Sequence, residues 1–134
     1  HDALPISIVC SNDYGTVGET SCKIVNVDYI KGVCYNSDGG YDTYVGSACD
    51  NRYIEIIGSK NITIASPNVN VNRIIVVEYN ENKDMINFTS QTTSNKSLTL
   101  ELNENTRYIR ISFWFNIYET KMAQLFYEYT ITQN

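Results

Sequence analysis

The chain has 134 residues, of which 10 are basic and 15 are acidic, giving a net charge of −5. This length fits one domain, and the acidic balance disfavours both nucleic acid and anionic lipid as partners. Ile, Val, Tyr and Thr are abundant while Ala and Leu are scarce, which favours β-strands over helices. No apolar run reaches the length of a membrane span, so we expect no membrane insertion.

We expect residues 1–134 to form a single all-β domain, an antiparallel β-sandwich of the jelly-roll type. Residues 1–7, HDALPIS, resemble a translated cloning or adaptor remnant, which would make the chain the tail of a longer reading frame. Residues 8–50 hold all four cysteines, and we interpret them as a subregion pinned by disulfides. Residues 51–134 are the core sandwich in this interpretation.

Alternation of apolar and polar residues, together with β-branched enrichment, predicts eleven strands and no helix. Short turns rich in Asn, Asp, Gly and Ser separate the strands, as is typical of a sandwich or jelly roll. In chain order, the predicted strands are Ile6–Cys10, Ser21–Val27, Gly32–Tyr35, Tyr41–Val45, Tyr53–Ile57, Asn61–Ala65, Arg73–Tyr79, Met85–Phe88, Ser97–Leu102, Tyr108–Tyr118 and Met122–Thr132.

The cysteines are Cys10, Cys22, Cys34 and Cys49, with no CxxC pair, and His1 is the only histidine, so a zinc site is disfavoured. An even count in a β-rich chain favours two disulfides in an oxidising compartment. Of the three pairings we favour Cys10–Cys22 with Cys34–Cys49, because each bridge would close a turn-rich hairpin. The alternative is buried free thiols in a cytosolic protein.

The predicted strand Arg73–Tyr79, RIIVVEY, is apolar on both faces. Such a strand is either central and covered on both sides, or covered by another subunit. This pattern is a modest indication of self-assembly.

The segment Tyr108–Tyr118, YIRISFWFNIY, alternates so regularly that it describes both faces of one strand. The apolar face, which we expect to point into the core, consists of Ile109, Ile111, Phe113, Phe115 and Ile117. The opposite face carries the candidate ligand-binding residues Tyr108, Arg110, Trp114, Asn116 and Tyr118. Sugars stack on aromatic rings and bond to Arg and Asn, but the same face could equally be covered by a neighbouring strand or subunit.

Tyr41 and Tyr44, in the Gly- and Asp-rich segment, are a second candidate for ligand contact. Oxygen ligands cluster in the same region, at Asp38, Asp42 and Asp50, where a structural Ca²⁺ is one interpretation and ordinary Asp-Gly turn chemistry is the other. We expect no other metal and no cofactor.

The sequence predicts no enzyme. With a single, terminal histidine, neither a Ser-His-Asp nor a Cys-His arrangement can form. The scattered carboxylates match the polar face of a sheet better than a glycosidase pair, and no phosphate-binding glycine loop is present.

Three N-glycosylation sequons begin at Asn61, Asn87 and Asn95, in or beside predicted turns. They are relevant only if the source organism glycosylates its secreted proteins.

About half of the chain resembles a carbohydrate-binding or galactose-binding-like β-sandwich module of phage tail and Gram-positive surface proteins. The matching pieces are YIEIIGSKNITI at 53–64, IIVVEYNENKDMI at 74–86 and LTLELNENTRYIRISF at 98–113. These are core and turn positions, so the resemblance implies a fold and an adhesive context and carries over no individual binding residue.

Two functions follow as expectations. The first is a non-enzymatic extracellular module that binds glycans on a surface appendage or phage tail. The second is a structural subunit of an extracellular filament, joined to copies of itself through sheet edges or donated strands.

Overall fold

The computed structural model describes residues 21–24, 29–68, 70–115 and 128–134. Within these ranges the chain forms ten strands, all paired antiparallel. They are β1 (Ser21–Ile24), β2 (Tyr29–Tyr35), β3 (Tyr41–Asp50), β4 (Ile54–Glu55), β5 (Asn61–Ala65), β6 (Val71–Tyr79), β7 (Met85–Thr92), β8 (Ser97–Glu101), β9 (Tyr108–Phe115) and β10 (Tyr129–Gln133). In the same ranges, no helix is long and apolar enough to cross a membrane.

The predicted strands that fall within the described residues are found there, with shifted ends. Asn61–Ala65 has the predicted bounds, whereas the predicted strand Tyr53–Ile57 shortens to the two residues of β4. The largest difference is in the hairpin formed by β2 and β3. β2 begins three residues before the predicted start at Gly32, and β3 continues past the predicted end at Val45 to Asp50. Ile6–Cys10 lies outside the described residues, as do parts of the second, tenth and eleventh predicted strands.

The strands form two sheets. The smaller sheet has the order β1-β10-β5-β8, and the larger has the order β2-β3-β9-β6-β7, with β4 also paired to β9. The chain passes between the sheets after β1, β4, β5, β7, β8 and β9, so most neighbours within a sheet are distant in sequence.

The main core lies between the two sheets. Side chains alternate along a strand, so every second residue of each sheet points inward and meets its counterparts from the other sheet. On β9 these residues are Ile109, Ile111, Phe113 and Phe115, all buried as predicted, while Ile117 lies outside the described residues. The smaller sheet contributes Cys22, Ile24, Ile62, Ile64, Leu98, Tyr129 and Ile131.

A second apolar cluster covers the outer face of the larger sheet. It contains Ile75 and Val77 of β6, which are 2% and 0% exposed, together with Tyr35 and Cys34 of the β2–β3 hairpin. The doubly apolar pattern of RIIVVEY is therefore explained within the chain, since β6 is covered by the core on one side and by the chain's own hairpin on the other.

The predicted Cys34–Cys49 disulfide is wrong. Both cysteines are free and buried, and both belong to the outer cluster. The hairpin register places Cys34 opposite Asp42 and Cys49 opposite Ile30, so the ladder does not set the two cysteines opposite each other, as a bridge across this hairpin would require. Each acts instead as a small apolar side chain, and burial raises the pKa of the Cys49 thiol to about 11, which keeps it protonated.

The predicted Cys10–Cys22 bridge involves Cys10, which lies outside the described residues. That pairing stays a prediction, and residues 34 and 49 do not pin the hairpin.

Candidate functional site

The β2–β3 hairpin folds across the outer face of the larger sheet. Its register shifts from the pair Lys31–Ala48 to the pair Val33–Thr43, so residues 44–47 form a large bulge opposite residue 32. A bulge bends the strand that contains it, here between residues 41–43 and 48–50. The Tyr35 backbone N–H then donates to Ser112 Oγ of β9 at 3.3 Å. Aromatic rings from the hairpin are thereby brought against β9 and β6.

The tip of the hairpin is a turn closed by Asn36. Its Oδ1 atom accepts hydrogen bonds from the backbone N–H groups of Asp38 at 2.9 Å and Gly40 at 3.0 Å. Gly39 has a φ of +80°, and a Cβ atom there would lie 3.1 Å from Met85 Sδ. This glycine allows the tip to pack directly on the larger sheet.

Replacing Gly39 with alanine is expected to lower the free energy of unfolding by about 1–2 kcal/mol, because the new methyl group meets both a left-handed backbone and a close neighbour. Gly40→Ala is the matched control, since a Cβ at Gly40 meets only the Asn36 side-chain amide at 3.6 Å and φ is not left-handed. Urea unfolding of both variants measures the difference. Equal stability of the two variants would show that the tip does not pack as described.

We name the resulting surface the aromatic–cationic face. It is formed by Tyr35, Tyr41, Tyr44, Tyr53, Arg73, Tyr79, Lys83, Tyr108, Arg110 and Trp114.

Arg110 lies at the centre of this face. Its Nη2 atom donates to Tyr41 Oη at 3.0 Å and to Asn51 Oδ1 at 2.8 Å, and its guanidinium carbon lies 4.8 Å from the ring centroids of both Tyr35 and Tyr53. Tyr41 also donates to Asn51 Oδ1 at 2.9 Å, which closes a small polar ring at the surface. Arg110 is thus held by neutral partners and aromatic rings.

Trp114 lies at one end of the face. The Tyr44 ring lies against it with centroids 4.4 Å apart, and the Arg73 guanidinium lies 4.7 Å from its centroid. Arg73 is fixed by hydrogen bonds to Ser90 Oγ at 3.0 Å and Thr92 Oγ1 at 2.8 Å. Trp114 is half-buried, whereas Tyr41 and Tyr44 are 45% and 39% exposed, so the tyrosines present the accessible rings.

Lys83 lies at the opposite end. It occupies a left-handed position (φ 64°) in a turn closed by Asn80, whose Oδ1 accepts from the Asn82 and Asp84 backbone N–H groups. This turn directs the Lys83 ammonium toward the rings of Tyr53 and Tyr108, at 4.8 and 5.1 Å from their centroids.

Three buried polar atoms of this face have no hydrogen-bond partner among the described residues, namely Tyr79 Oη, Arg110 Nε and Trp114 Nε1. Tyr79 is only 5% exposed, and burial raises the pKa of its hydroxyl. Polar atoms in this condition are usually satisfied by water or by a ligand.

Asp50 fastens the hairpin to the main core. It is fully buried, and its carboxylate accepts hydrogen bonds from Arg52 Nε at 2.9 Å, Arg52 Nη2 at 3.0 Å and Tyr129 Oη at 2.7 Å. Its backbone carbonyl accepts from Tyr35 Oη at 2.7 Å. One residue therefore connects β3 with the smaller sheet and with the aromatic–cationic face.

Three of the five predicted ligand-binding residues, Tyr108, Arg110 and Trp114, lie on the outer face of β9, and their contact with a ligand stays a prediction. Asn116 and Tyr118 lie outside the described residues. The second candidate pair, Tyr41 and Tyr44, joins the first at the same face. Sequence reasoning missed Arg73, although it has the same strand parity as Ile75 and Val77 on the outer face of β6.

The predicted calcium ligands do not gather into a site. No group of three or more metal-ligating side chains occurs in the described part of the chain. The Asp50 carboxylate is engaged by Arg52 and Tyr129, and Asp42 accepts from Asn36 Nδ2 at 3.2 Å. The calcium interpretation stays a prediction without a ligand group to support it.

All three sequon asparagines are exposed. Asn87 Nδ2 donates to the buried Glu78 carboxylate at 2.7 Å, and Asn95 Oδ1 accepts from Ser97 within a tight turn. Their glycosylation stays a prediction.

A polar cleft of about 500 Å³ lies apart from the Trp114 end, between the turns at 80–82 and 104–107. Lys60 Nζ lines it, but this ammonium donates to the backbone carbonyls of Thr106 at 2.6 Å and Ile56 at 3.3 Å, and burial lowers its pKa. These bonds give Lys60 a role in holding the turn.

Comparison with known proteins yields no match to a family model, to a curated protein or to a solved structure. The resemblance to phage and Gram-positive surface modules is therefore not supported by these comparisons and stays a prediction.

Proposed function

We propose that this protein is a non-enzymatic carbohydrate-binding module whose recognition surface is the aromatic–cationic face. The observation that carries the proposal is the exposure of two tyrosine rings, Tyr41 and Tyr44, beside Trp114, with Arg110 and Asn51 at their edge. Aromatic rings offer stacking surfaces for the C–H faces of a sugar, and guanidinium and amide groups bond its hydroxyls.

The strand order gives further support. The orders β1-β10-β5-β8 and β3-β9-β6-β7 correspond to the two four-stranded sheets of a jelly roll, with β2 added at an edge. Jelly rolls include lectin domains, although fold alone does not define function. The resemblance of residues 53–115 to adhesive modules agrees with this proposal. We propose in addition an extracellular location, on a surface appendage or phage tail.

The proposal is tested by capture on a glycan array. We expect the wild-type chain to be retained by a restricted set of glycans and Tyr44→Ala to lose about tenfold or more in binding, as loss of one stacking contact does elsewhere. Val45→Ala is the matched control, because Val45 is the adjacent residue and is 60% exposed. No retention on any glycan, or equal retention of Tyr44→Ala, would overturn the proposal.

A second candidate is a filament subunit that assembles through a sheet edge. The observation that favours it is β7, an eight-residue strand that pairs only with β6 among the described strands and whose last three residues are exposed. An unpaired edge of this length is a template for another strand. The coverage of Ile75 and Val77 by the chain's own hairpin removes the argument from RIIVVEY.

Sedimentation velocity across a range of concentrations separates the two candidates. A glycan module is expected to remain a monomer, whereas a filament subunit is expected to form oligomers that dissociate in Ser90→Pro, because the register directs the backbone N–H of Ser90 away from β6 and toward the free edge. Oligomers that persist in the proline variant would contradict assembly through β7.

A further inference from the structure

Positive charge accumulates on the aromatic–cationic face of a protein that is acidic overall. Four arginines occur in the chain, and two of them pair with carboxylates: Arg52 with Asp50 at 2.9 Å and Arg107 with Glu55 at 2.6 Å. The other two, Arg73 and Arg110, lie on the aromatic–cationic face, and neither forms an ion pair with any described residue.

The contacts of these two arginines leave their charge uncompensated. Arg73 bonds to the hydroxyls of Ser90 and Thr92, and Arg110 bonds to Tyr41 and Asn51 and interacts with the hydroxyl of Tyr79, all of which are neutral groups. Aromatic rings attract a cation, but they carry no net negative charge. A half-buried guanidinium without a carboxylate is costly unless an anion is supplied from elsewhere.

The cations follow one line along the sheet. Trp114 is the register partner of Arg73, and Tyr108, which the Lys83 ammonium approaches, lies six residues earlier on the same strand. Six residues of an extended strand span about 20 Å. The positive groups therefore cover a length greater than one sugar ring, with tyrosine rings between them.

We infer that the ligand of this face is an acidic oligosaccharide, whose sugar rings stack on Tyr41 and Tyr44 while its carboxylates meet Arg110, Arg73 and Lys83. This inference rests on the proposed function and narrows it to one class of glycan. Arg110 suits a carboxylate because a guanidinium bonds to carboxylates in a fixed fork geometry, and its described partners, Tyr41 and Asn51, are neutral.

The test compares acidic glycans, ending in uronate or sialate, with neutral counterparts of the same backbone. We expect retention of the acidic member of each pair and at least a fivefold loss of binding between 50 and 500 mM NaCl, because salt screens exposed charges. Equal retention of the neutral members would overturn the inference and leave the proposed function standing. Retention of no glycan would overturn both.

Variants locate the charge requirement. Arg110→Gln is expected to weaken binding of the acidic glycan about tenfold or more, as loss of a charge-assisted hydrogen bond does. Arg110 packs against several rings, so Lys83→Asn provides a second variant in an exposed turn, where Asn also tolerates a positive φ. We expect a two- to fivefold loss there.

Lys23→Gln is the control, because Lys23 is an exposed lysine on β1 of the other sheet and its removal changes the net charge equally. A loss in Lys23→Gln as large as in Lys83→Asn would show that overall charge, and not the aromatic–cationic face, attracts the glycan, and would overturn the inference.

Discussion

Replacing Asp50 with alanine is expected to lower the free energy of unfolding by about 3–5 kcal/mol, the usual effect of removing one partner from a buried charged pair. The substitution removes the acceptor of three side-chain hydrogen bonds, two from Arg52 and one from Tyr129. Asp50 is the last residue of β3 and connects the β2–β3 hairpin to Tyr129 in the main core. We therefore expect its removal to destabilise the whole domain. Denaturant unfolding followed by Trp114 fluorescence measures it.

Asp42→Ala is the control for this substitution. Asp42 lies on the same strand and is exposed, and among the described residues its carboxylate accepts one hydrogen bond, from Asn36, so we expect a change below about 1 kcal/mol. Asp50→Ala with a stability close to that of Asp42→Ala would show that the buried carboxylate does not stabilise the fold.

The second large effect is loss of stability at alkaline pH. Burial raises the pKa of Tyr35 and of Tyr129 above the ordinary value of 10, and the charge of Asp50 raises that of Tyr129 further. Both hydroxyls stay protonated in the folded chain, whereas in the unfolded chain they ionise above about pH 10. The unfolded state therefore binds fewer protons, and the free energy of unfolding falls as pH rises.

The expected slope is about 1.4 kcal/mol per pH unit for each tyrosine, or about 5 kcal/mol in total between pH 10 and pH 12. This contribution is fully present below pH 10. Cys49, whose pKa is raised from 9.0 to about 11, adds a further loss between those two values. The free energy of unfolding of a whole domain is about 5–15 kcal/mol. We therefore expect the chain to unfold cooperatively before the buried tyrosines ionise.

Circular dichroism and tyrosinate absorbance, recorded together against pH, check this expectation. In Tyr129→Phe, the free energy of unfolding should decrease above pH 10 less steeply than in the wild type, by about 1.4 kcal/mol per pH unit. Tyr44→Phe, which alters an exposed ring, should keep the wild-type pH dependence. Ionisation of all tyrosines near pH 10 in a chain that stays folded would contradict the burial of Tyr35 and Tyr129.

Local alternation explains why the strands could be predicted. The period of two along β9 separates Ile109, Ile111 and Phe113 from Arg110 and Trp114, and the structure places the two sets on opposite faces. The same rule works wherever one face is buried and the other is not. It requires no knowledge of which strands are neighbours.

The position of the β2–β3 hairpin could not be predicted in this way. Its course depends on the bulge at residues 44–47 and on contacts with β9 and β6 that are distant in sequence, such as Tyr35 with Ser112. The apolar residues on both faces of β6 did indicate that its outer face is buried. Periodicity, however, cannot distinguish burial by another part of the same chain from burial by another subunit.

The disulfide prediction failed for a related reason. The spacing of Cys34 and Cys49 suits a bridge across a short hairpin, but β3 runs on to Asp50 and the register sets Cys49 opposite Ile30. The spacing of two cysteines in the sequence does not determine which residues are paired across the hairpin. That pairing depends on the bulge at residues 44–47.

The candidate site was predicted in part. Tyr108, Arg110 and Trp114 share a face because they share a strand, whereas Tyr41 and Tyr44 reach the same face only through the folded hairpin. Two separate candidates in the sequence are therefore one surface in the structure. The unpaired state of Arg73 and Arg110 emerges only when all neighbours are in place.

A glycan bound at the aromatic–cationic face of a single chain would lie next to Trp114. Trp114 is the only tryptophan, so its fluorescence emission reports directly on that position. The decisive measurement is titration of the monomeric chain with the best-retained array glycan while Trp114 emission is recorded. We predict a saturable change in emission that is lost in Tyr44→Ala and kept in Val45→Ala. Emission that stays constant while the glycan binds would place the binding site elsewhere and contradict the account.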